Sequence, residues 1–232
     1  MKRSRTVSTS GQPSELTISS KKSSIATKKK YARKARYSFG REYGFPAQLT
    51  FKHRYFVNKQ TTSSSGVPAV LQFAANGLYA PEPTGGHQPS YYDTLTTIYN
   101  HWVVVKSKLI VRCATQGGTT VPITASLWIN DDTTGTTTVD SSEQSSAINF
   151  VVPPGGNEVV TKVIEWDAVK TFGPNPMANI YLEGFATANP TELSYLQLNF
   201  VALDGSTTVT MSCQCELVQI AIWSEVKDVT IS

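Results

Sequence analysis

The chain has 232 residues, of which 40% are hydrophobic, and this length and apolar content exclude a wholly disordered chain. Residues 1–60 hold 15 Lys and Arg against two acidic residues, whereas residues 61–232 hold six against fifteen. A self-repelling basic block ahead of an acidic, apolar-rich remainder indicates a solvated arm that binds a polyanion, followed by one domain that folds on its own.

Residues 1–46 form the predicted basic arm. Its first 40 positions are rich in Ser, Thr, Lys and Arg and hold too few apolar residues to fold alone. From residue 28 onward basic and aromatic side chains are interleaved, which supplies charge for phosphates and rings that stack on unpaired bases. We expect contact without base-specific readout, because such an arm lacks a rigid scaffold. The predicted nucleic-acid-binding residues are Lys2, Arg3, Arg5, Lys21, Lys22, Lys28, Lys29, Lys30, Tyr31, Arg33, Lys34, Arg36, Tyr37 and Arg41.

Residues 47–232 form the predicted folded domain, which begins with a strand that alternates apolar and polar residues from Leu49 to Val57. A short apolar strand over 70–74 precedes a long loop rich in Gly and Pro, and a brief helix is predicted over 92–100. Further strands are predicted at 102–113, 123–129, 159–166, 180–186, 196–203 and 209–223. About eight strands with almost no helical periodicity predict an all-β, antiparallel sandwich.

No catalytic residue, metal site or cofactor is predicted. His53, His87 and His101 have different neighbours and lack the spacing of a metal cluster. Cys113 lies in a strand pattern, where cysteine usually acts as a small buried hydrophobe. Cys213 and Cys215 alternate with apolar residues along the last strand and are expected to face the core.

The acidic loop around Asp131 and Asp132, with Asp140 and Glu143 nearby, offers oxygen atoms to a calcium ion. It lacks the residue spacing of an EF-hand loop, so we interpret it as a solvated loop and leave a calcium requirement open. No run of about 18 apolar residues occurs, and the N-terminus has no signal-peptide pattern. We therefore expect a soluble protein made in the cytosol, without membrane insertion.

Residues 48–112 and the arm resemble the capsid proteins of circovirus-like, Rep-encoding viruses with circular single-stranded DNA. The residues most similar to that family are Gly86-His87-Gln88-Pro89, Tyr99 and Val105-Lys106-Ser107-Lys108-Leu109. The resemblance implies a single jelly roll of two four-stranded sheets, assembled as sixty copies into a T=1 shell around the genome. It also implies an inward arm that doubles as a nuclear localisation signal, and hence a protein of the virion and, during assembly, of the host nucleus.

In such a shell the loop from Pro83 to Tyr92 is expected near subunit contacts. His87 and Gln88 are predicted there as contact or turn-fixing residues, and Tyr91 and Tyr92 as contact rings, with burial inside the subunit equally compatible with the pattern. The predicted partners are the DNA genome, further copies of the chain and the nuclear import machinery.

Three alternatives stay open at the level of sequence. A coat protein of an icosahedral RNA virus has the same kind of arm, and charge does not distinguish DNA from RNA. A cellular β-sandwich lectin with a basic extension predicts a monomer or small oligomer that binds glycans. A nuclease predicts metal-dependent cleavage that is lost when Asp131, Asp132 or a histidine is changed.

Overall fold

The computed structural model describes residues 44–133 and 138–228, and the predicted nucleic-acid-binding residues from Lys2 to Arg41 lie outside this part of the chain. The strands are β1 Gln48–Ser63, β2 Ala69–Ala74, β3 Tyr99–Thr115, β4 Ile123–Asn130, β5 Ile148–Val152, β6 Val160–Asp167, β7 Gly184–Phe185, β8 Tyr195–Ala202 and β9 Val209–Val226. The helices are α1 Tyr92–Thr96, α2 Thr138–Glu143 and α3 Ala168–Phe172, with 3₁₀ turns at Pro176–Ala178 and Ile180–Leu182.

The strands form two antiparallel sheets with a nested order. One sheet runs β1-β9-β3-β6, with the two-residue β7 added beside β3, and the other runs β2-β8-β4-β5. Leaving β7 aside, the first long strand pairs with the last, the second with the next to last, β3 with β6, and β4 with β5. This nesting is the topology of a jelly roll, so the predicted all-β fold is confirmed.

The core lies between the two sheets and is filled by alternate residues of the strands. In β9 every odd-numbered residue from Val209 to Trp223 is buried, while the even-numbered ones are partly or fully exposed. Trp102, Trp166 and Trp223 are among the largest fully buried side chains. A sheet with one covered face requires this period of two. The same alternation specifies the register of the β1–β9 pair, which extends over sixteen residues.

Two predicted elements differ from the structure, and one strand of the structure was not predicted. The strand predicted over 180–186 is replaced by a 3₁₀ turn and the two-residue β7, because Asn179 accepts a hydrogen bond from the Tyr181 amide and starts a turn there. The helix predicted over 92–100 ends at Thr96, since β3 already begins at Tyr99. Strand β5 was not predicted, because its five residues lie between turn-rich segments.

Candidate functional site

The loop between β2 and α1 is the only predicted site that falls within the described residues. It runs along the edge of β1 that does not pair with β9: the Ser90 amide donates to the Arg54 carbonyl oxygen at 3.2 Å. An uncovered strand edge is a template for unwanted pairing. The loop therefore covers the outer edge of the first sheet, and three attachments join it to β1 through His87 and Glu82 of the loop and His53 of β1.

His87 attaches the loop to β1 through its Nε2 and bonds within the loop through its Nδ1. Its Nε2 lies 3.0 Å from the carbonyl oxygen of Phe56, and its Nδ1 lies 2.8 Å from that of Gln88. The ring also stacks on Tyr55. These two hydrogen bonds to backbone carbonyls raise the pKa of His87 above 6.5. The structure thus gives His87 a turn-fixing position within one chain.

Glu82 is the buried charge of the loop and is 5% exposed. Its carboxylate accepts hydrogen bonds from the Tyr55 hydroxyl at 3.0 Å and the Thr84 hydroxyl at 3.1 Å, and forms an ion pair with Lys59. Burial, followed by this bond to Glu82, raises the pKa of Tyr55. Because a buried carboxylate is stable only when it is paired, this network joins the loop to β1 at a second point.

His53 makes the third attachment from inside the core. Its Nδ1 donates to the Ser90 carbonyl oxygen at 3.1 Å, and its Nε2 accepts from Trp223 Nε1 at 3.0 Å. The imidazole is therefore neutral, with its proton on Nδ1. Burial lowers the pKa of His53, which agrees with that neutral form. His53 thus holds the loop as a neutral ring, whereas both nitrogens of His87 face carbonyl acceptors, an arrangement that only the charged ring satisfies in full.

The predicted contact rings separate into one surface residue and one core residue. Tyr91 is 66% exposed, adopts a left-handed backbone conformation and lies edge-on to Phe51. Tyr92 is 1% exposed, packs beside Trp102 and Trp223, and donates its hydroxyl to the Phe185 carbonyl oxygen at 2.9 Å. The structure therefore assigns the Tyr92 ring to the core of one chain, while contacts through His87, Gln88 and Tyr91 stay predictions.

The remaining histidine and the cysteines have structural surroundings. His101 lies between Glu183 and Glu225, with its Nδ1 3.3 Å from the first carboxylate and its Nε2 2.5 Å from the second. The two carboxylates approach opposite nitrogens of the ring. Cys113 and Cys213 are partners across β3 and β9 with their Sγ atoms 3.4 Å apart, and both are buried as predicted.

Within residues 44–133 and 138–228, no group of three or more His, Cys, Asp and Glu side chains is arranged to hold a metal ion. Among the same residues, no helix has the length and apolar character needed to cross a membrane.

The sequence analysis missed Glu82 and Lys59, which the fold brings together from the loop and from β1. A single acidic residue among prolines and glycines was the available signal, but its partner lies 23 positions away and only the tertiary structure pairs them. His53 lies within the strand predicted from Leu49 to Val57, whereas its hydrogen bond to Trp223 joins residues 170 positions apart.

No protein-family model and no curated protein sequence matches the chain. Similar solved structures include Desmodium yellow mottle tymovirus, with 13% identity, a TM-score of 0.46 and coverage of 84% of this chain and 97% of that one. A T=1 subviral particle of a Penaeus vannamei nodavirus capsid protein deletion mutant has 11% identity, a TM-score of 0.46 and coverage of 78% and 98%. Cocksfoot mottle virus has 9% identity, a TM-score of 0.47 and coverage of 78% and 96%. The sequence identities are low, and the jelly-roll assignment rests on the strand order of this chain.

Proposed function

We propose that this chain is the capsid protein of a small icosahedral virus, which assembles with copies of itself around a single-stranded nucleic acid. The observation that carries the proposal is the joining of a strongly basic segment, with eleven Lys and Arg among residues 1–36, to a nested jelly roll whose own composition is acidic. Jelly rolls serve as viral shell domains, lectins and cupins. A cationic block ahead of the fold favours a viral shell domain over a lectin or a cupin, because it adds affinity for a polyanion without base recognition.

The basic arm, residues 1–46, supplies the electrostatic part of this function. Each phosphate that it neutralises releases counterions, so binding is sequence-tolerant and weakens steeply with salt. An acidic domain outside the arm keeps the assembled surface from binding nucleic acid indiscriminately. The arm is also proposed as a nuclear import signal, since runs such as KKKYARKAR fit that role.

The genome is proposed as single-stranded, with DNA and RNA as its two versions. The resemblance in residues 48–112 favours circular DNA, and with it a sixty-copy T=1 shell. The comparisons give the DNA assignment no support. An RNA genome agrees at least as well with the similar structures, which are those of a tymovirus, a nodavirus and Cocksfoot mottle virus. Digestion of the particle contents with DNase and with RNase decides between the two versions.

Contacts between copies are proposed at the loop that carries His87, Gln88 and Tyr91. Tyr91 supports this placement, because two thirds of its surface is exposed in the single chain and Tyr is enriched at the centres of interfaces. No covalent chemistry is assigned to the protein.

The test begins with negative-stain microscopy of the purified full chain, where uniform spheres are expected. Deletion of residues 1–36 is expected to leave the fold intact, as read by circular dichroism, and to lower the 260/280 nm absorbance ratio of the particles. A chain that stays monomeric and ignores nucleic acid at low salt contradicts the proposal. Unchanged nucleic-acid content after the deletion contradicts the role of the arm alone.

A further inference from the structure

Charged residues are divided unevenly between the two sheets. The strands β2, β4, β5 and β8 contain no Lys, Arg, Asp or Glu. In the other sheet, the residues that point away from the core include Lys52 and Arg54 of β1 and Lys106, Lys108 and Arg112 of β3, and Lys170 of α3 lies beside them. We call the surface formed by these six side chains the basic face.

The basic face has a local excess of positive charge on an acidic domain. Its six cations are accompanied by three acidic residues, Glu165, Asp167 and Glu216. Elsewhere in residues 44–133 and 138–228, three Lys and Arg stand against twelve Asp and Glu. A polyanion near the domain is therefore repelled by most of the surface and attracted to this face.

A cavity of about 410 Å³ lies within the basic face. Its lining includes four lysines together with Val218 and Ile220 of β9. Lys106 pairs with Asp167 and Lys108 pairs with Glu165, each at 3.1 Å. Neither Lys52 nor Lys170 has a carboxylate within ion-pair distance among the described residues, so both ammonium groups are available to an external phosphate.

The other half of the same sheet surface offers groups suited to bases. A second cavity of about 630 Å³ is lined by Arg112 and by the amide side chains of Asn58, Gln60 and Gln214. Between the two cavities along β1, Phe56 points outward and is 44% exposed. An exposed ring on a cationic strand is a stacking platform that accepts any base.

We propose that the basic face is a second binding surface for the packaged strand, with Lys52 and Lys170 holding phosphates and Phe56 stacking on a base. In the sequence the basic arm is followed at once by β1, the strand that carries Lys52 and Phe56. This inference rests on the proposed function and extends it from the arm to the folded domain. The ligand class is single-stranded polynucleotide, either DNA or RNA.

Lysine acylation of the full chain, read by mass spectrometry, tests the proposal one residue at a time. The chain, freed of its nucleic acid by high salt, is labelled at low salt alone, with oligothymidylate and with oligouridylate, and its oligomeric state is measured in each sample. Lys162 is the matched control, because it lies on β6 in the row opposite to the basic face, 5.6 Å above the Phe150 ring. We expect either oligonucleotide to lower the labelling of Lys52 and Lys170 at least threefold and to leave Lys162 unchanged.

The outcomes separate this inference from the proposed function. Protection of the arm lysines alone overturns the basic face and leaves the proposed function standing. Protection of no lysine overturns both. If Lys162 is protected as strongly as Lys52 and Lys170, binding is not specific to the basic face and the inference is overturned. Low labelling of Lys52 and Lys170 before any oligonucleotide is added shows that another copy covers the face, which also overturns the inference.

A variant pair provides a second readout in the same full chain. Lys52→Gln with Lys170→Gln removes two phosphate contacts, and each contact in a single strand contributes about 0.7 to the slope of log K against log salt concentration. We expect the slope to fall by about 1.4 in the double variant and to stay unchanged in Lys162→Gln. Equal slopes in all three proteins, with unchanged circular dichroism, contradict the proposal.

Discussion

His87 lies over Tyr55 with ring centroids 4.4 Å apart, and both nitrogens of its ring face carbonyl oxygens. A neutral imidazole has one N–H and satisfies only one such acceptor, so the arrangement suits the imidazolium form. A cation over an aromatic ring is attracted to its face as well. The attachment of the loop to β1 is therefore strongest when His87 is charged.

The first prediction concerns pH and the loop. Because the pKa of His87 is raised above 6.5, its contribution is fully present below pH 6.5 and is lost as the pH rises through the raised value. We expect an NMR titration of His87 to give a pKa above 6.5, and the protection of the Ser90 amide against hydrogen exchange to fall over the same pH range. His87→Gln is the control and should remove this dependence. Titration of His87 below pH 6.5 contradicts the prediction.

His53 gives the second prediction, with the opposite sign. Since burial lowers its pKa below 6.5, the neutral ring stabilises the fold above pH 6.5, and this contribution is lost as the pH falls through the lowered value. We expect the urea midpoint of the wild type to fall on acidification. His53→Gln keeps a donor for Ser90 and an acceptor for Trp223 without titrating, so its midpoint should change less over the same range. Parallel curves of urea midpoint against pH for the two proteins would show that protonation of His53 does not cause the loss of stability in acid.

The third prediction compares a buried and an exposed carboxylate. Glu82→Gln removes a carboxylate that is almost fully buried and leaves Lys59, whose side chain is 30% exposed, without its counter-charge, and we expect a loss of about 2–4 kcal/mol in the free energy of unfolding. Glu165→Gln removes the partner of Lys108, but its side chain is 70% exposed, so a loss of about 0–1 kcal/mol is expected. Urea denaturation measures both values, provided that the dependence of the free energy of unfolding on urea concentration is unchanged. Equal losses of free energy in the two variants would contradict the role of the buried Glu82.

The fourth prediction concerns close packing of the backbone against a ring. A Cβ atom at Gly184 would overlap the indole of Trp102, which is fully buried and cannot move aside. We expect Gly184→Ala to destabilise the protein by about 1–3 kcal/mol or more, as overpacking of a core does. Gly117→Ala is the matched control, because no atom lies within 4 Å of the added methyl group. A thermal melt distinguishes the two variants, and similar melting temperatures would contradict the prediction.

Much of the fold was predictable because a period of two is a local property of the chain. The alternation in β1 and β9 located both strands and assigned Cys213 and Cys215 to the core. The 180–186 segment misled the prediction, since its apolar residues suggested a strand while Asn179 initiates a turn. Periodicity alone gave no indication of which way that conflict would resolve.

The candidate site was less predictable, because its contacts join distant parts of the sequence. Glu82 depends on Lys59, and His53 depends on Trp223, and neither pair leaves a local pattern. The basic face was hidden for the same reason: Lys52, Lys106 and Lys170 belong to three elements that come together only when β9 lies between β1 and β3.

The pairing of β1 with β9 has a consequence for synthesis. Gln48 lies opposite Ser224, so β1 leaves the ribosome without its partner and stays unpaired until β9 has been translated. Such long-range closure is slow compared with local folding. Throughout that interval the basic arm is already outside the ribosome, so the nucleic-acid contact proposed for the arm does not have to wait until the first sheet is complete.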